Sequence, residues 1–252
     1  MSGHSKWHNI RIKKMKMDQL RGRLFSKLSR EIMVAARLGG TDPEANPRLR
    51  LAISKAKEAG MPSENIERLL KKASGTAEDV HYEEVIYEGY GPAGVALMME
   101  VLTDNKNRAA QEIRAILSRN GGTLAEAGSC SWLFERKGIL LIPKEEVDED
   151  TVLSVAIDAG AEDVRMDDPD NYEVITAPED FEEVRKAFER EGIKVSSADL
   201  TMLPKTTVRV EGKEAMAILR LMELLEEQED VQRVYANFDI PDEIMSAASQ
   251  EK

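Results

Sequence analysis

The chain of 252 residues has one cysteine, three histidines and 5% aromatic residues, and each shortage removes a class of function. Cys130 has no partner for an internal disulfide and fits a reducing compartment, where a thiol in an apolar stretch is expected to be buried and inert. His4 and His8 stand four apart, yet a zinc site needs further ligands and their neighbours are lysines. No nucleophile stands with a base in a recognisable arrangement, so no enzyme, no metal and no cofactor are expected. A run of about 20 apolar residues is also missing, which removes a membrane-spanning helix. The basic N-terminus lacks the apolar stretch of a secretory signal, so the expected location is the cytoplasm. The runs Glu145–Asp150 and Asp167–Asp170 lack the glycine and closing glutamate of a calcium loop and read as solvated surface. Gly89-x-Gly91-x-x-Gly94 resembles a dinucleotide fingerprint, but a strand rather than a helix follows it and Pro92 removes a backbone donor. A structural hairpin is expected there.

What the chain has instead is segregated charge. The net charge is −12, but the first 78 residues carry 17 Lys/Arg against 8 Asp/Glu, a local +9 that leaves −21 for the remainder. A basic head on an acidic body is the electrostatic footprint for a polyanion, because the head attracts phosphate while the body repels it. From Asp18 the head has helical periodicity. Leu20, Leu24, Phe25, Leu28, Ile32, Ala35 and Ala36 share one half of the wheel; Arg23, Lys27, Arg30 and Arg37 share the other. One face is expected to pack and the other to be solvated, with no apolar face left to enter a membrane. Before Asp18, Lys6, Trp7, Arg11, Lys13, Lys14 and Lys16 interleave charge with scattered apolar residues and form no stripe; this arm is expected to order on binding. Trp7 could stack on a base, worth about 1 to 3 kcal/mol. Candidate nucleic-acid contacts are therefore Lys6, Trp7, Arg11, Lys13, Lys14, Lys16, Arg21, Arg23, Lys27 and Arg30. Lys106 and Arg108, at a helix start in Asp104-Asn105-Lys106-Asn107-Arg108, are candidates for a secondary anion contact.

Two further helices complete the head. Gly39-Gly40 stops the first helix, Asn46-Pro47 caps and opens the second, and Gly60-Met61-Pro62-Ser63 ends it and caps the third. After a linker at Ser74–Asp79 the period becomes strand-like. Tyr82–Glu88 and Val95–Leu102 read as strands, Asn105–Asn120 as a helix and Ser131–Arg136 as a strand. Gly138–Ile142, Asp150–Ala159, Asp163–Asp167, Tyr172–Thr176, Pro178–Arg190 and Lys194–Leu203 then give β-α-β-β-α-β, the order of a ferredoxin-like sandwich. Thr206–Val210, Gly212–Glu227 and Val231–Asn237 are too small to bury a core alone and must return to the earlier strands. The expected fold is α+β and multidomain: an N-terminal three-helix domain (1–78) and two α/β ferredoxin-like sandwich domains. One is discontinuous (79–136 and 205–240), the other is inserted in it (137–204), and a loose tail follows (241–252).

Several motifs together resemble one family. Gly3-His4-Ser5-Lys6-Trp7, Arg21-Gly22-x-x-Phe25-Ser26-Lys27-Leu28-x-Arg30-Glu31, Gly39-Gly40-x-Asp42-Pro43-x-x-Asn46-Pro47-Arg48-Leu49-Arg50, Tyr87-Glu88-Gly89-Tyr90-Gly91-Pro92 and Leu102-Thr103-Asp104-Asn105-x-Asn107-Arg108 are similar to the YebC/PmpR family across nearly the full length. Lys13-Lys14-Met15-Lys16-Met17 departs from the alanine-rich wording of that family. The resemblance implies three domains, the third inserted in the second. It also implies a nucleic-acid-binding regulator of transcription, or a translation factor acting on the ribosome. No dimerisation stripe or helix-turn-helix spacing is present, which points to a monomer and favours ribosomal RNA over duplex DNA. The alternative from a different class is an adaptor whose basic face docks on an acidic protein.

Overall fold

The computed structural model describes residues 18–74, 82–241 and Ile244, with side chains from Gly22 onward. The arm before Asp18, the linker after Ser74 and most of the tail lie outside the described residues. The head is α1 (Asp18–Gly39), α2 (Pro47–Glu58) and α3 (Ser63–Ser74). Asn46 makes the first corner. Its side-chain oxygen accepts from the Leu49 amide at 3.1 Å and its side-chain nitrogen donates to the carbonyls of Ala35 and Gly40 at 2.8 Å. One buried amide thus caps α2 and satisfies carbonyls at the end of α1. Gly40 leaves the helix at φ +89, the left-handed conformation that favours glycine. The helices pack through Ile32, Ala35, Ala36, Leu49, Ala52, Ile53, Ala56, Met61 and Ile66, with Phe25, Leu28, Leu69 and Leu70 at the margin. Small alanines at the centre let the helices approach closely.

The body begins with a hairpin of β1 (Glu83–Tyr90) and β2 (Ala96–Thr103), in register from Glu83↔Thr103 to Tyr90↔Ala96. Its turn is a short 3₁₀ segment at Pro92–Gly94 rather than a phosphate-binding loop, and Ala93 adopts φ +58 within it. α4 (Lys106–Arg119) and β3 (Thr123–Ala125) follow. Next come β4 (Phe134–Pro143), α5 (Glu149–Asp158), β5 (Asp163–Arg165), β6 (Asn171–Thr176), α6 (Phe181–Arg190) and β7 (Ser197–Pro204), whose sheet order β5-β6-β4-β7 is antiparallel throughout. This is the ferredoxin-like β-α-β-β-α-β arrangement. β8 (Val208–Arg209), α7 (Gly212–Glu227), β9 (Val231–Ala236) and β10 (Phe238–Asp239) then return to the first sheet, whose order is β3-β1-β2-β9.

Alternation along β2 decides what lies on each side of that sheet. Leu97, Met99 and Val101 meet Ala109, Ile113 and Leu117 of α4 and Ala215, Ile218, Met222 and Leu225 of α7. α7 therefore completes the core begun by the β1–β2 hairpin, and the β4 to β7 unit is an insertion. On the opposite side, Ala96 and Met98 pack with Cys130, Phe134 and Tyr235, and with Leu133 and Met202, so the two sandwiches share an apolar seam. The inserted unit has its own core of Leu140, Ile142, Val152, Ala156, Tyr172, Val174, Phe181, Val184 and Phe188.

Several strand assignments differ from those expected of the sequence. β4 is one strand where two were expected, because the residues before Gly138 also pair with β7, from Phe134↔Pro204 to Lys137↔Thr201. Gly138 is a packing glycine rather than a break: a Cβ there would lie 2.5 Å from Cδ2 of Phe181 and closer still to Oγ1 of Thr176. Ser131–Leu133 is a 3₁₀ turn that leads into β4, and the three-residue edge strand β3 is additional.

These environments predict opposite effects for two glycine-to-alanine substitutions. Gly138→Ala should destabilise the protein by about 1 to 3 kcal/mol through overpacking. Gly22→Ala, in α1 with nothing within 4 Å of the added Cβ, should stabilise it by about 0.5 to 1 kcal/mol. Urea unfolding monitored by circular dichroism reads both.

Candidate nucleic-acid interface

Arg23, Lys27, Arg30 and Val34 recur at the spacing that places residues on one stripe of a helix. The structure corrects the expectation that this stripe of α1 is solvated, because it lies against the acidic end of α7 and the turn that joins α7 to β9. Arg23 pairs with Glu227 at 3.2 Å, and Lys27 donates to the Glu226 carbonyl at 2.6 Å. Arg30 donates to the Glu229 carbonyl at 2.8 Å and to its carboxylate, and pairs with Asp230 at 3.1 Å. The Arg30 guanidinium also lies 5.8 Å from the centre of the Tyr82 ring.

Asp230 is the centre of this contact. Its side chain is 3% exposed, against 15% for Arg30. It also accepts from Thr103 Oγ1 at 3.1 Å and from Arg108 at 2.9 Å. Gln228 holds the turn, its side-chain oxygen accepting from the amides of Asp230 and Val231 at 2.7 and 2.8 Å. The hydrogen bond to Asp230, then that to Asp104, raises the Arg108 guanidinium further above its already high range. The candidate secondary anion site is thus occupied from within: Arg108 by Asp230 and Asp104, Lys106 by Glu83. Asn105 caps α4, accepting from the Arg108 amide at 3.1 Å.

A second carboxylate works in the same way on another side of the head. Asp199 of β7 accepts from Lys55 of α2 at 2.5 Å and from Arg233 of β9 at 3.3 Å. Desolvation, with the neighbouring Arg233 charge, pushes the Lys55 ammonium below the ordinary lysine range, and Asp199 offsets this in part. Arg48 completes the set by pairing with Glu31 at 2.8 Å and with Glu84 of β1.

Among the candidate contacts, the structure brings Arg23, Lys27 and Arg30 together on one stripe. Lys6, Trp7, Arg11, Lys13, Lys14, Lys16 and the Arg21 side chain lie outside the described residues. The sequence reading missed Asp230, Gln228 and Asp199. The signal was the acidic run ending in Glu229-Asp230, which reads as solvent-facing charge until its partners are known.

The body carries a second organised surface. Glu88 is buried and accepts from the amides of Gly128, Cys130 and Ser131 at 2.7 to 2.8 Å. Desolvation pushes its carboxyl up, but the three amides outweigh this and leave it below the ordinary range. The loop so fixed presents Ser129, whose carbonyl accepts from both Tyr90 Oη (3.0 Å) and Trp132 Nε1 (3.1 Å). Trp132 is 65% exposed. Cys130 is buried, donates to the Leu97 carbonyl at 3.3 Å and has its thiol pushed up to about 11 by desolvation, which suits an inert packing residue. Among the described residues no cluster of three metal-ligating side chains occurs, and no helix is long and apolar enough to cross a membrane.

This arrangement, a basic helical head clasped to two α/β sandwiches, has known counterparts. The family model for the TACO1/YebC protein N-terminal domain matches residues 5–76, and that for the TACO1/YebC second and third domain matches residues 82–238. The chain belongs to the TACO1/YebC family. A probable transcriptional regulatory protein of Carboxydothermus hydrogenoformans is 56% identical over 245 residues, covering 96% of this chain and 100% of that one. Another, from Halothermothrix orenii, is 55% identical over 254 residues with full coverage of both chains. The crystal structure of a conserved hypothetical protein from Aquifex aeolicus, 49% identical, matches with a TM-score of 0.80 over 90% of this chain and 94% of that one. Within the TACO1/YebC fold as this chain presents it, shared carboxylates join the head to the body.

Energetically the contacts are unequal. The half-exposed Arg23–Glu227 pair contributes about 0 to 1 kcal/mol, whereas the buried Asp230 carboxylate requires its partners. Asp230→Asn should cost about 2 to 3 kcal/mol, and Arg108→Ala should cost less in that background than in the wild type; a double-mutant cycle by urea unfolding measures the coupling. Glu88 gives a pH test. Its lowered folded value contributes stability above the unfolded carboxyl value, and that contribution is lost as pH falls through the folded value. The stability advantage of the wild type over Glu88→Gln should therefore be present at neutral pH and shrink on acidification, as read by thermal melts across a pH series.

Proposed function

We propose that the protein is a non-enzymatic nucleic-acid-binding regulator of gene expression. Its basic head, residues 1–78, contacts phosphates. Its acidic body, residues 79–136 with 205–240 and the inserted 137–204, followed by the tail 241–252, orients that head. The observation that carries the reading is the charge segregation, +9 on the first 78 residues against −21 beyond them. Relatives named as probable transcriptional regulatory proteins support it. So do Lys57, Lys71 and Lys72, exposed on α2 and α3 with no ion pair among the described residues. The contacts proposed are Lys6, Arg11, Lys13, Lys14, Lys16 and Arg21 with Arg23, Lys27 and Arg30, and Trp7 as a stacking residue. No cofactor or metal is needed for this role, and the protein would act in the cytoplasm as a monomer.

Ribosomal RNA is the proposed target, because unstacked bases and dense phosphates suit a single head with an aromatic-bearing basic arm. Duplex DNA would then be bound mainly through the sequence-independent electrostatic interaction. A second reading, docking on an acidic protein, is favoured by one observation: Glu229 and Asp230 already fit the Arg30 guanidinium.

Competition for the labelled protein at about 150 mM salt among purified ribosomes, a candidate promoter and scrambled duplex tests these readings. Co-sedimentation with ribosomes, and a promoter preference well below the roughly 10³-fold low end of specific recognition, is expected. A promoter preferred by that factor with no ribosome binding would reject the ribosomal target; binding to neither nucleic acid would reject the reading in favour of a protein partner.

A further inference from the structure

The cations that the proposed function assigns to phosphate are the ones the structure shows holding the body. Each acceptor in the acidic turn has a counterpart on the stripe. Glu227 takes Arg23, the Glu226 carbonyl takes Lys27, and the Glu229 carbonyl and carboxylate together with Asp230 take Arg30. Successive cations one helical turn apart meet successive anionic or carbonyl oxygens, which is also what a row of phosphates presents. The Arg30 side chain, at 15% exposure, has no room for a phosphate and the body's carboxylates at once.

We infer that the segment Glu226–Asp230, the end of α7 and the turn after it, is a built-in competitor of the nucleic acid, an internal polyanion that occupies the α1 cation stripe until a denser array of phosphates displaces it. The inference rests on the nucleic-acid reading above and adds its regulation. The competitor is part of the same chain, so it acts at a high effective concentration and raises the apparent dissociation constant of every polyanion. Weak isolated acids and short duplexes would fail to open the contact, while an extended, phosphate-dense RNA would succeed. The net effect is a threshold of charge density, and non-specific binding is suppressed below it.

The partners divide by burial in a way that suits release. Arg23 and Glu227 are half-exposed, and the Glu229 side chain is largely exposed, so these contacts are screened by solvent and salt. Asp230 keeps Thr103 and Arg108 of the body when Arg30 leaves. The carboxylate is therefore not stranded without partners by opening. This lowers the barrier to release on the body's side, and the free guanidinium goes to phosphate.

The test is the affinity of full-length protein for a labelled RNA stem-loop at about 150 mM salt, comparing wild type, Glu227→Gln/Glu229→Gln, and a charge-matched control. The control is Glu145→Gln/Glu179→Gln, two exposed acids of the inserted unit. Neutralising the turn should tighten binding about fivefold or more beyond the control, because the closed fraction falls. Hydrogen exchange of the wild type should also show residues 226–230 becoming less protected when the RNA binds. Glu227→Gln alone, which leaves Asp230 and Glu229 in place, should give a smaller change in the same direction and serves if the double variant is unstable. If the turn variants match the control while the wild type binds RNA, the competitor is overturned and the nucleic-acid reading stands. If no version binds RNA even at low salt, both fall.

Discussion

A carboxylate removed from water must be surrounded by donors, and Asp230 obtains its donors from both halves of the molecule. Thr103 and Arg108 belong to the first sandwich and Arg30 to the head. Thr103 and Arg108 keep the buried carboxylate partnered within the body, and Arg30 adds the head's own donor, which favours the orientation that presents Arg30 to this point. The backbone is recruited too, since the Leu102 amide donates to the Asp230 carbonyl at 2.8 Å. Asp199 applies the same constraint at a second point, between Lys55 of the head and Arg233 of the body. Two anchored points restrict rotation as well as separation.

The body's excess negative charge thus has a use inside the molecule. A row of lysines and arginines with no counter-charge would bind polyanions indiscriminately, since the electrostatic attraction is independent of sequence. An acidic surface on the same chain would moderate that attraction without giving up the cations. In the proposed reading, the exposed lysines of α2 and α3, Lys57, Lys71 and Lys72, would offer an initial point of contact. Under the proposed competition, phosphate density rather than phosphate alone would be the quantity sensed.

Local rules made much of the fold legible in the sequence. Asn46-Pro47 announced a cap and became one, and the apolar positions Ile32, Ala35 and Ala36 became the head core. The order of elements from Gly138 to Leu203 gave the ferredoxin-like sheet, because alternation and turn residues act over short distances. Gly138 misled, since a glycine that makes room for Phe181 and Thr176 looks the same in sequence as one that breaks a strand. The candidate site was legible in composition and not in geometry. Helical periodicity put Arg23, Lys27 and Arg30 on one stripe, but only the tertiary fold brings residues about 200 positions away against it. Glu88 was equally hidden: an acid inside a strand gives no sign that three loop amides will converge on it.

The central claim is that the basic head is where nucleic acid binds. The most direct measurement is a hydrogen-exchange footprint of the full-length protein on purified ribosomes. Protection concentrated within residues 1–78, with the inserted unit at 137–204 unchanged, is the result this account predicts. Protection confined to the acidic body, with the head exchanging as in the free protein, would contradict it.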